Sequence, residues 1–386
     1  MTKTRNVLFL QSSSELYGSG KIILQVLRIY QSEGLYPIVI LTGPGPISDE
    51  LEKSGITFFI QNLGILRRKY LSPSGLHNRW QMNRKAYQFL NELDKKYEFE
   101  LVYSNTLAVV VGAYWASQKR IPHIWHIHEI LPGPRVLVSF LRRLLDKSTP
   151  APVVVSEAVK KHWKSKLKIA KPRVIHNAIP YSEFFRDDYL PIEELNIDVD
   201  NLVITMIGRI NPGKGQLFFV DIAKELHKTY PHCKFLMVGD PFPGYESIEE
   251  SIENIIRDEG LSNTIFNLGF REDIPAILNA TDIFVLPSIL PDSFPTVILE
   301  AMAAAKPVVA TASGGASEMV EEGLTGFIIP MGDVSAARNA LSKLIKSVEL
   351  RKSFGKAGRE RVLREYSEEN FVKETIDHLW RHLIKS

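Results

Sequence analysis

The sequence predicts an α/β protein made of two doubly wound domains. Three observations carry that expectation. Short apolar runs bounded by turn residues alternate with stretches of helical periodicity along the chain. The alternation stops once, over an acidic, proline-punctuated segment at 180–201, and then restarts. The length, 386 residues, exceeds the roughly 100–200 that one domain usually holds.

In the first half, strands are expected at 7–11, 37–41, 101–104, 123–127, 153–155 and 174–176. Ile22, Ile23, Val26, Leu27 and Tyr30 recur at helical spacing, and Gly34 stops that helix. After the linker, strands are expected at 203–208, 234–239, 264–268, 283–286, 307–310 and 326–329, with helices in the gaps. Strand, helix, strand at this spacing implies parallel sheets covered on both faces. The tail, 367–386, reads as a closing helix. The expected division is therefore 1–185, 186–366, and a last helix at 367–386 that packs back on the first domain. Ligands of such folds bind outside the carboxyl ends of the strands, which places a cleft between the two sheets.

Composition fits an ordinary globular protein, with 45% hydrophobic and 24% charged residues. One cysteine, Cys233, excludes an internal disulfide framework and suits a reducing compartment. The start carries only a brief apolar run, shorter than the roughly 7–15 residues of a secretory signal. The longest apolar run, 107–116, falls far short of the roughly 20 that span a bilayer. A cytoplasmic protein is expected, either soluble or lying on the inner face of a membrane. Residues 1–190 hold 27 Lys and Arg against 15 Asp and Glu, a net of +12, and the remainder is −9. Such asymmetry suits either two domains that attract each other or an anionic partner for the basic half. Arg67, Arg68, Lys69, Arg79, Arg84, Lys85, Arg142 and Arg143 stand among Leu, Trp and Tyr, and Lys160, Lys161, Lys164, Lys166 and Lys168 surround Trp163. Basic residues interleaved with aromatics suit anionic lipid head groups, with solvated helix faces as the alternative. No nucleic-acid-binding motif accompanies them.

Four segments are candidates for chemistry. Gly208-Arg209-Ile210-Asn211-Pro212-Gly213-Lys214-Gly215 follows a strand and opens a helix. A helix start with adjacent cations suits a diphosphate, Arg209 gripping with a planar fork and Lys214 adding a point charge, with a solvated turn carrying two surface cations as the alternative. In Pro291-Asp292-Ser293-Phe294-Pro295-Thr296-Val297-Ile298-Leu299-Glu300, a helix is expected to start near Pro295. The amides of Thr296, Val297 and Ile298 then face an anion seat with Asp292 on one side and Glu300 on the other. Asp292 as a helix cap is the alternative. Glu300 sits in a largely apolar helix, where a carboxylate wants a partner.

The third segment, Gly18-Ser19-Gly20, lacks both the Walker spacing and the full dinucleotide fingerprint, and a plain strand–helix turn is its alternative. The fourth, His123-Ile124-Trp125-His126-Ile127-His128-Glu129, puts His126 and His128 on one strand face. These side chains are competent metal ligands, but nothing else in the chain completes a cluster. His126 reads as a core histidine and His128 as functional.

The 208–215 and 291–303 segments together resemble the retaining glycosyltransferases of family four, which have the GT-B architecture, two Rossmann-like domains facing a central cleft. Supporting matches are Leu268-Gly269-Phe270 with Asp273, residues 280–288, Ser313-Gly314-Gly315 with Glu318, Gly323 and Gly326, and Val174-Ile175-His176-Asn177 ahead of the linker.

That resemblance implies a nucleotide diphosphate sugar as donor and transfer of a hexose-type sugar to a glycan or lipid-linked acceptor held by the first domain. It implies cell-surface polysaccharide or glycolipid synthesis. Neither a divalent metal nor another cofactor is implied. Arg209 and Lys214 would hold the diphosphate beside Gly208, Glu300 the ribose, Asp292 the sugar hydroxyls, and the backbone of Phe294, Pro295, Thr296 and Val297 the diphosphate or sugar. Phe270 and Arg271 would lie near the base, His128 at the donor sugar, and Gly18 and Gly20 near the donor phosphates. The commonest family pattern has Glu where this chain has Asp292, one methylene shorter. The rival expectations are an inactive glycosyltransferase-like binding module, a glycosyl phosphorylase and a sugar-nucleotide epimerase.

Overall fold

The computed structural model describes residues 5–16, 18–66, 70–131, 133–165, 167–185, 197–198 and 200–383. Arg67, Arg68, Lys69, Lys166 and most of the expected linker lie outside the described residues. The chain divides into two compact units, Met1–Asn177 with Glu369–Ser386, and Ala178–Glu368.

In the first unit the order is β1 (Arg5–Gln11), α1 (Gly18–Ser32), β2 (Leu35–Leu41), α2 (Pro46–Lys53), β3 (Thr57–Ile60), α3 (Pro73–Tyr97), β4 (Phe99–Asn105), α4 (Val110–Lys119), β5 (His123–Ile127), α5 (Arg135–Ser148), β6 (Val153–Val154), α6 (Glu157–Lys164) and β7 (Arg173–Val174). Among the described residues these strands form one seven-stranded sheet, order 3-2-1-4-5-6-7. Each pairing is parallel. Val7, Leu8, Phe9 and Leu10 on β1 are all fully buried, the mark of a strand covered on both faces. Phe9 meets Tyr30 of α1 and Tyr103 of β4 at ring separations of 5.1 and 5.0 Å. Burying one such side chain stabilises the fold by about 1.5–3 kcal/mol. The edge strand β3 was not among the expected strands. Its Phe59 packs on α3, 6.0 Å from Phe89 and 6.3 Å from Tyr97.

In the second unit the order is β8 (Leu202–Ile207), α7 (Gln216–His227), β9 (Cys233–Val238), α8 (Glu246–Asp258), β10 (Ile265–Asn267), α9 (Ile274–Asn279), β11 (Ile283–Leu286), α10 (Thr296–Ala303), β12 (Val308–Thr311), α11 (Ala316–Met319), β13 (Gly326–Ile329), α12 (Val334–Lys346) and α13 (Val348–Glu365). Its parallel sheet runs 10-9-8-11-12-13 among the described residues. Ile204, Met206, Phe219, Ile222, Phe235 and Val285 form part of its core.

The last helix, α14 (Glu368–Leu383), packs on the first unit. It buries Phe371, His378 and Leu379 and is tied by ion pairs from Arg173 to Glu374 and, at 2.6 Å, Asp377. Trp380 donates to Glu33 at 2.6 Å. The division falls after Asn177, ahead of the expected 185, because the next residues pack on the second unit. There the Tyr181 hydroxyl donates to the Tyr366 carbonyl at 2.7 Å, and a short 3-10 turn, Ser182–Phe184, buries Phe184.

Candidate active site

In the second unit the strand order reverses between β8 and β11. Loops leaving these two strands turn to opposite faces and open a crevice at the carboxyl edge of the sheet. The loop after β8 carries Gly208, Arg209 and Lys214; the loop after β11 carries Asp292, Phe294 and Pro295. The structure joins them. Lys214 Nζ lies 2.6 Å from Asp292 Oδ2, and the Ile289 amide donates to the Gly213 carbonyl at 2.9 Å.

A third loop, after β12, fixes the backbone of Asp292. The Ser313 hydroxyl accepts from the Asp292 amide at 3.2 Å and donates to the Leu290 carbonyl at 2.7 Å. The Gly315 amide donates to the Asp292 carbonyl at 2.8 Å. Gly314 has φ +59°, and a Cβ there would stand 1.9 Å from that same carbonyl oxygen, so only glycine fits. Asp292 is thus held through both backbone groups and its carboxylate, and it does not cap α10. The N-cap is Pro295, one residue ahead of the helix, rather than a first-turn proline.

The Ile298 amide is already spent on the Pro295 carbonyl at 3.0 Å. The amides of Thr296 and Val297 are left, by position, without an intrahelical acceptor. Glu300 lies one turn along α10 and is buried, with 8% of its surface exposed. The side chain of Phe294 is also buried, its ring 5.7 Å from Tyr366, so only its backbone is presented. The Arg209 guanidinium sits 4.7 Å over the Phe242 ring and 3.9 Å from Asp240 Oδ1.

Gln216, buried at the first position of α7, donates to the carbonyls of both Gly208 and Arg209 at 3.1 Å. The sequence reading missed it. A polar residue following the glycine loop at a buried helix start was the available signal. Phe270 is exposed, and Arg271 forms a two-pronged pair with Asp273, 2.8 Å on each side, which holds the Asp273 carboxyl below its ordinary range.

The first unit has the same reversal, between β1 and β4. Gln11 ends β1, Asn105 ends β4, and His128 follows β5 by one residue. Asn105 Nδ2 donates to Gln11 Oε1 at 2.7 Å, and its Oδ1 lies 2.8 Å from His128 Nε2. The His126 and His128 rings are 4.1 Å apart. His126 is a core residue whose Nδ1 meets the Tyr103 hydroxyl at 2.7 Å; its Nε2 is buried without a hydrogen-bond partner among the described residues, so the ring is only half satisfied.

Burial lowers the His128 pKa to about 4. Burial raises Glu129 to about 7, against the opposing donors Leu107 N, His128 N and the Thr106 hydroxyl. Gly18 and Gly20 are not in a loop but in the first turn of α1. The bare backbone of Gly20 serves the chain itself, since a Cβ there would stand 2.2 Å from the Glu15 carbonyl oxygen.

Among the described residues, no three His, Cys, Asp or Glu side chains stand close enough to share a metal ion, and no helix is long and apolar enough to cross a membrane. Of the basic surface, Trp163 is buried and donates to the Glu129 carbonyl at 2.9 Å, so it is no surface aromatic. Trp80, Val136 and Phe140 are the exposed apolar side chains beside Arg79, Arg84, Arg135 and Arg143.

Residues 18–183 match the family model described as Glycosyltransferase Family 4, and residues 191–361 match Glycosyl transferases group 1. The Escherichia coli UDP-Gal:alpha-D-GlcNAc-diphosphoundecaprenol alpha-1,3-galactosyltransferase is 25% identical over 351 residues, 85% of each chain. The trehalose synthase of Thermococcus litoralis is 26% identical over 296 residues, 75% of this chain and 69% of its own. Among solved structures, Anabaena HepE in complex with UDP-glucose superposes with a TM-score of 0.83 at 24% identity, covering 97% of this chain and 99% of that one.

Proposed function

The chain belongs to the glycosyltransferases of family four, with the GT-B fold, and from that premise we propose that it transfers a hexose-type sugar from a uridine diphosphate donor to a glycan or lipid-linked acceptor, retaining the configuration at the anomeric carbon. The observation that carries this reading is the Lys214–Asp292 pair at the strand-order reversal of the second unit, one loop from the start of α10. It sets a cation for the diphosphate directly beside a carboxylate for sugar hydroxyls. The uridine series is supported by the donor in the name of the E. coli relative and by the UDP-glucose of HepE.

In the reaction, the bond from the sugar's anomeric carbon to the β-phosphate oxygen breaks. The acceptor hydroxyl oxygen bonds that carbon from the same face, and its proton passes to the departing phosphate oxygen. Negative charge grows on the leaving diphosphate. Once the bound donor has drawn Lys214 from Asp292, Arg209, Lys214 and the amides of Thr296 and Val297 stand in place before the bond breaks and meet that charge as it develops. This arrangement supplies the positive charge from the protein itself, so turnover needs no divalent cation. Glu300 accepts from the ribose hydroxyls.

The acceptor reading rests on the first unit and on the E. coli relative, whose named acceptor is a diphosphoundecaprenol-linked sugar. Helix α5 leaves Val136 82% and Phe140 51% exposed beside Arg135 and Arg143. Its one acid, Asp146, is occupied by the amides of Lys168, Ile169 and Ala170 at 2.8–3.0 Å. An anionic bilayer carrying the acceptor fits this basic, apolar face.

The test is turnover of UDP-hexoses on a lipid-pyrophosphate sugar acceptor with chelator present, the product's anomeric configuration read by NMR. An inverted product, or a rate that vanishes with chelator and returns with magnesium, overturns the corresponding part of the reading.

A further inference from the structure

We propose that Asn105 fixes His128 as its Nε2–H tautomer, leaving Nδ1 as the ring's accepting nitrogen, and that Glu129 holds the turn on which this depends. The consequence for catalysis rests on the reading of His128 as a contact of the donor sugar.

Asn105 is fully buried, and its amide has two distinguishable ends. Nδ2 lies 2.7 Å from Gln11 Oε1 and 3.4 Å from the Ser19 carbonyl oxygen. A backbone carbonyl only accepts, so the end that faces it is the nitrogen. The other end, Oδ1, faces His128 Nε2 at 2.8 Å. An amide oxygen only accepts, so Nε2 carries the proton. Loss of hydration keeps the ring neutral, and a neutral imidazole has one proton, so Nδ1 is bare. The His126 ring, 4.1 Å away and tied to Tyr103, restrains the ring from one side.

The turn behind Asn105 is unusual. Thr106, a β-branched residue, has φ +95°, a conformation that persists only where surrounding contacts over-determine it. The Thr106 amide donates to the His126 carbonyl at 2.9 Å. The Glu129 carboxylate accepts from the Thr106 hydroxyl, from the Leu107 amide at 3.5 Å and from the His128 amide at 3.1 Å. One carboxyl group therefore grips both the turn after Asn105 and the backbone of His128, and so sets the distance between the two side chains.

The experiment is a long-range proton–nitrogen correlation on the full chain with 15N-labelled histidine, near pH 7.5, with the His128 signals assigned by their loss in His128→Gln. The expected spectrum has a protonated nitrogen at Nε2 and a bare one at Nδ1. The opposite tautomer, or an average of the two, overturns the proposal. Asn105→Ala is expected to give a tautomer mixture and lower kcat by about 10- to 100-fold with little change in donor KM. Asn105→Asp keeps an acceptor at Oδ1. Gln11 Nε2, buried and without a hydrogen-bond partner among the described residues, turns to donate to Oδ2, the oxygen that replaces Nδ2. The single tautomer and part of kcat are expected to return, and this variant with the wild-type spectrum decides the matter if Asn105→Ala fails to fold. A His128 tautomer unaltered in Asn105→Ala overturns the role of Asn105. A mixture with unchanged kcat overturns instead the role of His128 in turnover.

Discussion

Lys214 and Asp292 stand 78 residues apart in the chain, yet their side chains meet at 2.6 Å. Each is largely buried, with 28% and 18% of its side chain exposed, and each compensates the other's charge in the ligand-free protein. On the proposed reading, a diphosphate that took the ammonium would compete with the carboxylate and free it for a sugar hydroxyl.

Asp292→Asn removes that competitor. UDP alone is expected to bind about 2- to 5-fold more tightly, the scale of a partly exposed ion pair, while turnover of the UDP-sugar falls. Calorimetric titration with UDP checks the first half. Weaker UDP binding in the variant would mean that Asp292 orders Lys214 rather than competing for it.

Lys214→Ala and Arg209→Ala are each expected to lower kcat by about 100- to 1,000-fold, the usual loss when one preorganised donor to a developing anion is removed. Lys214 should matter to UDP affinity as well as to rate. Unchanged turnover in either variant sinks its assignment to the leaving group.

Glu300→Gln keeps the volume of a buried side chain but removes its charge. Hydrogen bonds to a charged group contribute about 1.5–3 kcal/mol, so UDP affinity should fall about 10- to 100-fold. UDP and 2′,3′-dideoxy-UDP should become nearly equal ligands of the variant. A variant that still discriminates them would place the ribose elsewhere.

Gly314→Ala puts a methyl group where the Asp292 carbonyl stands, at a φ that L-residues avoid. The left-handed backbone alone costs about 1–2 kcal/mol, and displacement of the Asp292 loop adds to it. Both a lower melting temperature and lost donor turnover are expected. A stable, fully active variant would show that the Asp292 loop need not hold its position.

Burial, the leading cause in each case, holds the pKa values of His128 near 4 and of His123 and His378 near 3, with His126 also well below its ordinary 6.5. All four must stay neutral in the folded first unit. A depressed histidine pKa contributes stability that is full above the unfolded value of about 6.5 and is lost as pH falls toward the folded value. Stability measured by denaturant unfolding should thus fall as pH drops from 6.5 to 4. The slope should fall by about one proton in His378→Gln. An equal slope in the variant would show that His378 does not take part.

Much of this was legible in the sequence because its signals are local. Hydrophobic runs and their spacing marked all but one of the strands among the described residues of two doubly wound sheets. The missed strand, β3, is a four-residue edge piece, half-buried, and too short to carry a clear period. The two segments that carry Lys214 and Asp292 were readable because glycine, proline and a cation follow a strand in order. The linker's acidic composition did not reveal that Tyr181 and Phe184 pack on the second unit, since that depends on what Tyr366 offers across a long stretch of chain.

The sequence by itself determined the fold class, the family and the residue types that a nucleotide sugar requires, because periodicity and short-range turn chemistry are written residue by residue. Only the tertiary structure decided which of those residues meet. Asp292 faces Lys214 rather than capping a helix, Gly20 leaves room for the Glu15 carbonyl, and Asn105 and Gln216 join these groups unannounced. The physical reason is one and the same. A parallel sheet gathers the ends of strands far apart in sequence along one edge, and buried polar groups there must find partners that no local pattern can name.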